Sequence, residues 1–189
     1  MNKNRAIVAL LAGTLALMLA AGVAWAATVQ CQVGEEVCLG TSEADTITGT
    51  SGYDYIRALG GADLAKGLGG NDAVHGGRGK DTVKGGGGPD QSIWGGQANP
   101  FNDASDDYAY GGAGKDTVIG GYAQGGVDHV YGEDGDDTIQ TNQRGGAVEM
   151  YGVEITKEII NCGAGYDTVY FDDGLDEVAQ NCEDLNPYE

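Results

Sequence analysis

From Gly40 onward, a small apolar residue recurs every nine positions between neighbours that are mostly polar. Ile47, Ile56, Ala65, Val74 and Val83 hold this position in five consecutive blocks. The local alternation of polar and apolar residues predicts a short strand with one buried side chain per block. Six residues rich in glycine separate successive strands, and they predict tight turns because glycine readily adopts positive φ.

Strands this short, joined by six-residue turns, predict a flattened coil that closes after two blocks. Residues 18 apart would then stack one layer above another, about 4.8 Å away along the coil axis. The expected fold is all-β, a parallel β-roll (β-solenoid) of nine-residue repeats with 18 residues per turn. The chain has 35 Gly but only two Phe and two Trp, so a conventional layered core is not expected.

Each block also carries an aspartate at its sixth position. This residue never moves in the first five blocks, and it stays in register in later blocks that insertions interrupt. Alternate blocks fall on opposite edges of the predicted coil, so Asp54, Asp72 and Asp90 share one edge. Weaker copies of the block return at 162–170 and 171–179. The candidate metal ligands are Asp45, Asp54, Asp63, Asp72, Asp81, Asp90, Asp107, Asp116, Asp128 and Asp137.

Stacked carboxylates one layer apart repel each other unless a cation lies between them. Calcium is the expected ion because it accepts six to eight hard oxygen ligands and combines carboxylates with backbone carbonyls, which the glycine turns would supply. Magnesium needs a tighter octahedron, and zinc and copper prefer nitrogen and sulfur ligands. The pattern therefore predicts Ca²⁺ as the bound ion.

The blocks GGRGKDTVK from Gly76 and GGAGKDTVI from Gly111 fit the pattern G-G-x-G-x-D-x-U-x at nearly every position. In this pattern the chain resembles the RTX, or haemolysin-type, calcium-binding nonapeptide-repeat family. The resemblance spans about residues 40–140. It implies that calcium lies between turns, held by the sixth-position aspartates and by glycine-loop carbonyls. Typical family members join the repeats to a catalytic or toxin domain, whereas here the repeats occupy the chain, as expected of a small secreted member.

The balance of charge is strongly acidic, with 29 Asp plus Glu against 10 Lys plus Arg and a net charge of -19. This balance argues against nucleic acid or an anionic membrane surface as a partner.

Burial of one Val or Ile yields about 1.5–3 kcal/mol, whereas ordering the backbone costs about 1–2 kcal/mol for each of nine residues. We therefore expect the calcium-free array to be largely disordered and calcium to fold it.

Residues 1–26 have the pattern of an export signal. Lys3 and Arg5 precede an apolar run from Ala6 to Ala20, and Ala24-Trp25-Ala26 offers a small-x-small cleavage site. The alternative is a single membrane anchor. The expected organisation is a signal peptide (1–26), an N-terminal cap (27–39), a repeat array (40–151) and a degenerate C-terminal cap (152–189). Insertions near 97–104 and 122–125 interrupt the array.

All four cysteines follow the export signal, where oxidation is permitted. Three pairings are possible, and sequence proximity favours Cys31 with Cys38 and Cys162 with Cys182. The second pair is 20 residues apart, one 18-residue layer plus two, which places the two cysteines on adjacent layers. Each disulfide would then close one end of the array, where a stacked repeat otherwise exposes its apolar face.

The expected function is that of a secreted, extracellular calcium-binding protein, with calcium ions as its partners. The alternative is an extracellular adhesin or surface-associated component that presents the inserted loops to a protein or carbohydrate partner. An enzyme on a β-helix is disfavoured, because no cationic catalytic side chains cluster and the repeats account for the aspartates. We therefore expect no catalytic residues, no nucleic-acid partner and no membrane association after signal cleavage.

Overall fold

The computed structural model describes residues 26–34, 37–96, 104–121, 126–141 and 156–188. The proposed signal peptide except Ala26, residues 97–103 of the predicted insertion at 97–104, and the predicted insertion at 122–125 lie outside these ranges. Sixteen strands and no helix occur in the described residues. Consequently no helix in these ranges is long and apolar enough to cross a membrane.

The strands form two eight-stranded parallel sheets, and the chain passes from one sheet to the other at every strand. The odd sheet contains β1 (Ala27–Gln30), β3 (Asp45–Thr48), β5 (Leu64–Gly69), β7 (Thr82–Gly87), β9 (Tyr108–Ala113), β11 (His129–Asp134), β13 (Ile159–Ala164) and β15 (Glu177–Val178), in that order. The even sheet contains β2 (Cys38–Leu39), β4 (Tyr55–Gly60), β6 (Ala73–Arg78), β8 (Ser92–Trp94), β10 (Thr117–Ile119), β12 (Thr138–Gln140), β14 (Thr168–Phe171) and β16 (Asp184–Pro187). The predicted all-β parallel β-roll is confirmed.

The predicted 18-residue period holds in the first layers, where Ile56 pairs with Val74 and Ala65 with Val83. Later layers are longer. Hydrogen bonds between equivalent aspartates of neighbouring layers span 26, 21 and 30 residues along the chain. The average is about 19 residues per turn over about 7 turns.

The longer connections all run from an even strand to the next odd strand. They precede β9, β11 and β13, which are strands of the odd sheet. We call the edge that leads into odd strands the first edge and the edge that leads into even strands the second edge. The second edge keeps uninterrupted six-residue turns at 49–54, 67–72, 85–90, 111–116, 132–137 and 162–167. The residues in excess of the 18-residue period therefore belong to connections that lead into odd strands. The exception is Gln91, a single additional residue after the turn at 85–90.

The core between the sheets is a single file of small side chains, each at most 1% exposed. Its members are Ile47, Ile56, Ala65, Val74, Val83, Ile93, Ala109, Val118, Val130, Ile139, Ile160 and Val169. Each strand from β3 to β14 contributes one of these residues, as the alternating pattern predicts. A core one residue wide cannot hold the layers together alone, because each layer contributes only two such side chains.

Aromatic rings outside the odd sheet add contacts between layers. Tyr108 stacks on His129 with ring centroids 4.5 Å apart, and Tyr110 stacks on Tyr131 at 4.7 Å. The Lys84 ammonium lies 4.5 Å from the centroid of the Tyr110 ring. These rings cover each other's faces, so they stabilise the contact between β9 and β11 from outside the core.

Both predicted disulfides are confirmed. Cys31 and Cys38 have Cα atoms 5.5 Å apart and join the connection between β1 and β2 at the first layer. Cys162 and Cys182 have Cα atoms 5.3 Å apart and join β13 to the connection that leads into β16. A covalent link is thus present at each end of the coil.

The close approach of turns in neighbouring layers can be tested by substitution of a turn glycine. Gly88 has φ +111°, and a β-carbon there would overlap the carbonyl oxygen of Gly70 one layer below. Gly88→Ala should lower the free energy of unfolding by about 2–3 kcal/mol, because strain and a backbone clash combine. Thermal unfolding in saturating calcium measures the loss. Gly87→Ala is the matched control, since its β-carbon would meet its nearest neighbour at 3.8 Å and should change stability by less than about 0.5 kcal/mol. Equal stability of the two variants would contradict this packing.

Candidate metal centre

Each edge of the coil contains a ladder of aspartates linked by hydrogen bonds from layer to layer. On the second edge the Asp54 amide donates to Asp72 Oδ1 at 2.8 Å, and the Asp72 amide donates to Asp90 Oδ1 at 2.7 Å. Asp90, Asp116 and Asp137 continue the ladder with bonds of 2.8 Å. The first edge repeats the arrangement from Asp45 to Asp128 over 2.7–3.0 Å. One oxygen of each of these acceptor carboxylates, from Asp63 onward, therefore satisfies a backbone amide of the layer below.

All ten aspartates predicted as metal ligands are buried, with at most 4% of each residue exposed. The fold brings them into two files of five, one on each edge. The first file contains Asp45, Asp63, Asp81, Asp107 and Asp128; the second contains Asp54, Asp72, Asp90, Asp116 and Asp137. The stacking that the nine-residue period predicts is therefore present.

The second carboxylate oxygen, Oδ2, has no hydrogen-bond donor in several of these aspartates. Oδ2 is buried and accepts no hydrogen bond in Asp63, Asp72, Asp90, Asp116 and Asp137. Leaving such an oxygen without a donor is costly, since a buried charge needs a partner. The turns at the start of the coil differ, because the Thr41 amide donates to Asp45 Oδ2 and the Thr50 amide to Asp54 Oδ2, both at 2.6 Å.

Backbone carbonyls approach the same spaces between layers. A β-carbon at Gly86 would overlap the carbonyl oxygen of Leu68, and one at Gly67 would overlap Asp72 Oδ2. Glycine at the turn positions thus leaves room for oxygens that side chains would displace. Leu68, which stands where the repeat has glycine, still adopts φ +83°. The turn geometry therefore overrides the side chain at that position, at a cost of about 1–2 kcal/mol.

The donor atoms suit calcium. Among the described residues, no three His, Cys, Asp or Glu side chains come together as a metal-binding group. A cation at these edges would be bound by stacked carboxylates together with turn carbonyls, which are hard oxygen ligands. Buried carboxylate oxygens without donors, in a turn held open by glycine, fit such an ion.

The comparisons with known proteins agree with this geometry. The family described as RTX calcium-binding nonapeptide repeat matches in four copies, at residues 39–72, 58–91, 103–121 and 122–143. The chain belongs to the RTX calcium-binding nonapeptide-repeat family. Searches of curated proteins and of solved structures gave no significant match. RTX nonapeptide repeats bind calcium, and the coil with its buried aspartates fits a calcium-binding β-roll.

The RTX ladder extends beyond the ten predicted aspartates. The Asp137 amide donates to Asp167 Oδ1 at 2.8 Å, and the Asp167 amide donates to Glu183 Oε2 at 3.0 Å. On the first edge the Glu158 amide donates to Asp176 Oδ1 at 3.0 Å. The nine-residue pattern, which returns at 162–170 and 171–179, places Asp167 and Asp176 at its sixth position. Glu158 and Glu183 were missed because glutamate replaces aspartate there and no glycine turn precedes either residue.

Burial controls the protonation of these carboxyl groups in the absence of metal. Desolvation raises the pKa of Asp63, Asp72 and Asp116 to about 6 and that of Asp137 to about 7, from an ordinary 3.8. The hydrogen bond from the backbone amide of the layer below opposes this rise in each case, and neighbouring carboxylates add to it. The metal-free edges therefore take up protons near pH 6–7, where the carboxyl group of a free aspartate is ionised.

These raised pKa values predict that acid stabilises the calcium-free roll. Between about pH 4 and pH 6–7 the folded state binds more protons than the unfolded chain, so the free energy of unfolding rises as pH falls through that window. In chelator, the strand signal in far-UV circular dichroism should be larger at pH 5 than at pH 7.5. In saturating calcium the trend should reverse, because protons then compete with the ion. A calcium-free strand signal that shrinks on acidification would contradict the prediction.

Proposed function

We propose that this protein is a secreted calcium-binding protein whose β-roll folds around calcium ions held between successive turns. The observation that carries the proposal is the set of buried Oδ2 atoms without a hydrogen-bond donor in Asp63, Asp72, Asp90, Asp116 and Asp137. The proposed ligands are glycine-loop carbonyls and the carboxylates of Asp45, Asp54, Asp63, Asp72, Asp81, Asp90, Asp107, Asp116, Asp128 and Asp137. Calcium would neutralise the stacked charges and complete the environment of these oxygens.

The energetics favour a structural role for the ion. The core contains one small side chain from each strand between β3 and β14, and the chain carries a net charge of -19. Each independent ion bound only by the folded state adds about 2.7 kcal/mol when its concentration is 100 times the dissociation constant. A few such sites supply as much free energy as a small domain needs to stay folded.

The two edges would not contribute equally. Six-residue turns follow one another without interruption on the second edge, whereas the first edge has longer connections before β9, β11 and β13. Calcium between turns needs two adjacent turns of the right shape. We therefore propose that the second edge holds the continuous column of sites and that the first edge holds sites in its early layers.

The location we propose is extracellular. RTX repeats are typically extracellular, and two disulfides indicate a compartment outside the reducing cytoplasm. Residues 1–26 would then serve as the signal peptide, 27–39 as the N-terminal cap, 40–151 as the array and 152–189 as the C-terminal cap.

A second role is favoured by the grouping of the longer connections on the first edge. A surface-associated protein could use that edge to reach a protein or carbohydrate partner while the second edge holds the calcium. Fractionation of cells in calcium and in chelator tests this role. Retention at the cell surface only in calcium supports it, and recovery solely from the medium in both conditions contradicts it.

Calcium should fold the roll. In chelator at pH 7.5 the far-UV circular dichroism of the protein should resemble that of a disordered chain, and calcium should bring the strand signal to saturation. Magnesium at the same concentration is the control and should produce little change, because it retains its water ligands. A complete strand signal in chelator would defeat the proposal.

Removal of one ladder carboxylate should remove calcium binding locally. Asp72→Asn retains an acceptor for the Asp54 amide but loses the charge, so calorimetry should show at least one ion fewer per molecule. The calcium midpoint of folding should rise by about tenfold, which corresponds to about 1.4 kcal/mol. Asp173→Asn is the matched control, since it removes the same charge from an exposed residue. Equal stoichiometry and midpoint in the two variants would contradict the assignment.

A further inference from the structure

The turn at 162–167, which we call the terminal turn, lies at the end of the second edge and beyond the residues that match the family. Asp167 in this turn has the same environment as Asp72 and Asp90. It is 0% exposed, its Oδ1 accepts the Asp137 amide at 2.8 Å, and its Oδ2 is buried without a hydrogen-bond donor. An unpartnered buried carboxylate oxygen thus marks this turn as well.

The backbone oxygens of the layer below recur in the same positions. A β-carbon at Gly163 would overlap the carbonyl oxygen of Glu133, and one at Gly165 would overlap that of Gly135. Both glycines have positive φ, +103° and +148°. This is the relation that Gly86 and Gly88 have to the layer below them. The space between the turn at 132–137 and the terminal turn therefore carries the same set of hard oxygens as the earlier layers.

The layer above the terminal turn is different. Ile160 pairs with Val178 and Thr168 with Asp184, so five residues, 179–183, cross the edge where the layer below uses seven. We call residues 179–183 the closing loop. It contains no glycine, and therefore it cannot form another RTX turn.

Three contacts hold the closing loop against the terminal turn. Cys182 is bonded covalently to Cys162, the first residue of that turn. The Asn181 side chain donates to the Gly163 carbonyl at 3.0 Å, and Glu183 Oε2 accepts the Asp167 amide at 3.0 Å. The Gly163 carbonyl is therefore already engaged, and the column of oxygens ends at this layer.

We propose that the terminal turn completes one more calcium site on top of the turn at 132–137, and that the Cys162–Cys182 disulfide holds this turn where other turns are held by a further calcium-bound layer. The inference rests on the proposed function. An inner turn is fixed from both sides, whereas the terminal turn has only the closing loop above it. The covalent bond keeps its oxygens in place as the ion binds and dissociates.

Calcium calorimetry on the full chain with its disulfides formed tests the site. Asp167→Asn should bind one ion fewer than the unaltered protein, as Asp72→Asn should on an inner turn. The pair variant C162A/C182A should weaken one site by about tenfold or more and leave the others unchanged. Alanine fits at the first turn position, since Ala58 occupies the equivalent position in another turn and is 0% exposed. C31A/C38A is the control, because it removes a disulfide at the opposite end of the coil.

Combination of Asp167→Asn with C162A/C182A should show no further loss of that site, since both changes remove the same ion. Unchanged stoichiometry in Asp167→Asn would overturn the site, and equal weakening by the two cysteine-pair variants would overturn the role of the disulfide. If C162A/C182A does not fold in calcium, Asn181→Ala supplies the comparison. It keeps the disulfide but loses the bond to Gly163, and unchanged calcium affinity would then contradict the proposal.

The experiment also separates this inference from the proposed function. If Asp72→Asn loses an ion and Asp167→Asn does not, only the terminal site is wrong. If neither variant changes calcium binding, the layered calcium model itself fails.

Discussion

The structure depends on placing one carboxylate between successive layers of backbone on each edge of the coil. One oxygen of that carboxylate ties the layers together by accepting an amide from below, as Asp72 does from Asp54. The other oxygen is buried beside backbone carbonyl groups, and in Asp63, Asp72, Asp90, Asp116 and Asp137 it accepts no hydrogen bond. The same side chain is therefore a structural link and a charge that needs a partner. A protein built this way requires either a cation or protons at each layer, and the surrounding fluid determines which is bound.

This dependence follows from how little else connects the layers. The inner side chains form a single file, and many of the turns consist of glycine and small polar residues. Parallel strand pairing supplies hydrogen bonds but little apolar burial. The stacked pairs Tyr108–His129 and Tyr110–Tyr131 add packing on the outside of β9 and β11, where the first-edge turns before both strands are longer than six residues. The apolar contribution is thus distributed thinly, and the edges determine stability.

The fold was predictable from the sequence because its period is local and strict. An aspartate such as Asp45 and an apolar residue such as Ile47 recur every nine residues. This spacing alone predicts the strands, the turns and the edge on which each aspartate lies. Sequence proximity predicted both cysteine pairs, and the layer spacing supported the pairing of Cys162 with Cys182. Glu158 and Glu183 were not predictable, since each takes an aspartate's place without a preceding glycine turn, and only the register of β13 and β16 reveals them. Composition also does not indicate that the insertions all precede odd strands. That assignment requires the order of the strands in the two sheets.

The aspartate ladders have a direction. The amide of each aspartate donates toward the C-terminal end of the stack, and its carboxylate accepts an amide from the N-terminal side. The two faces of any layer are therefore chemically different. The bottom of the stack must offer an amide, as Ala27 does to Asp45, and the top must offer an acceptor, as Glu183 does. An inner layer meets its neighbours in the same way wherever it stands. Duplication of eighteen residues in the interior would therefore lengthen the rod without requiring any change at its two dissimilar ends.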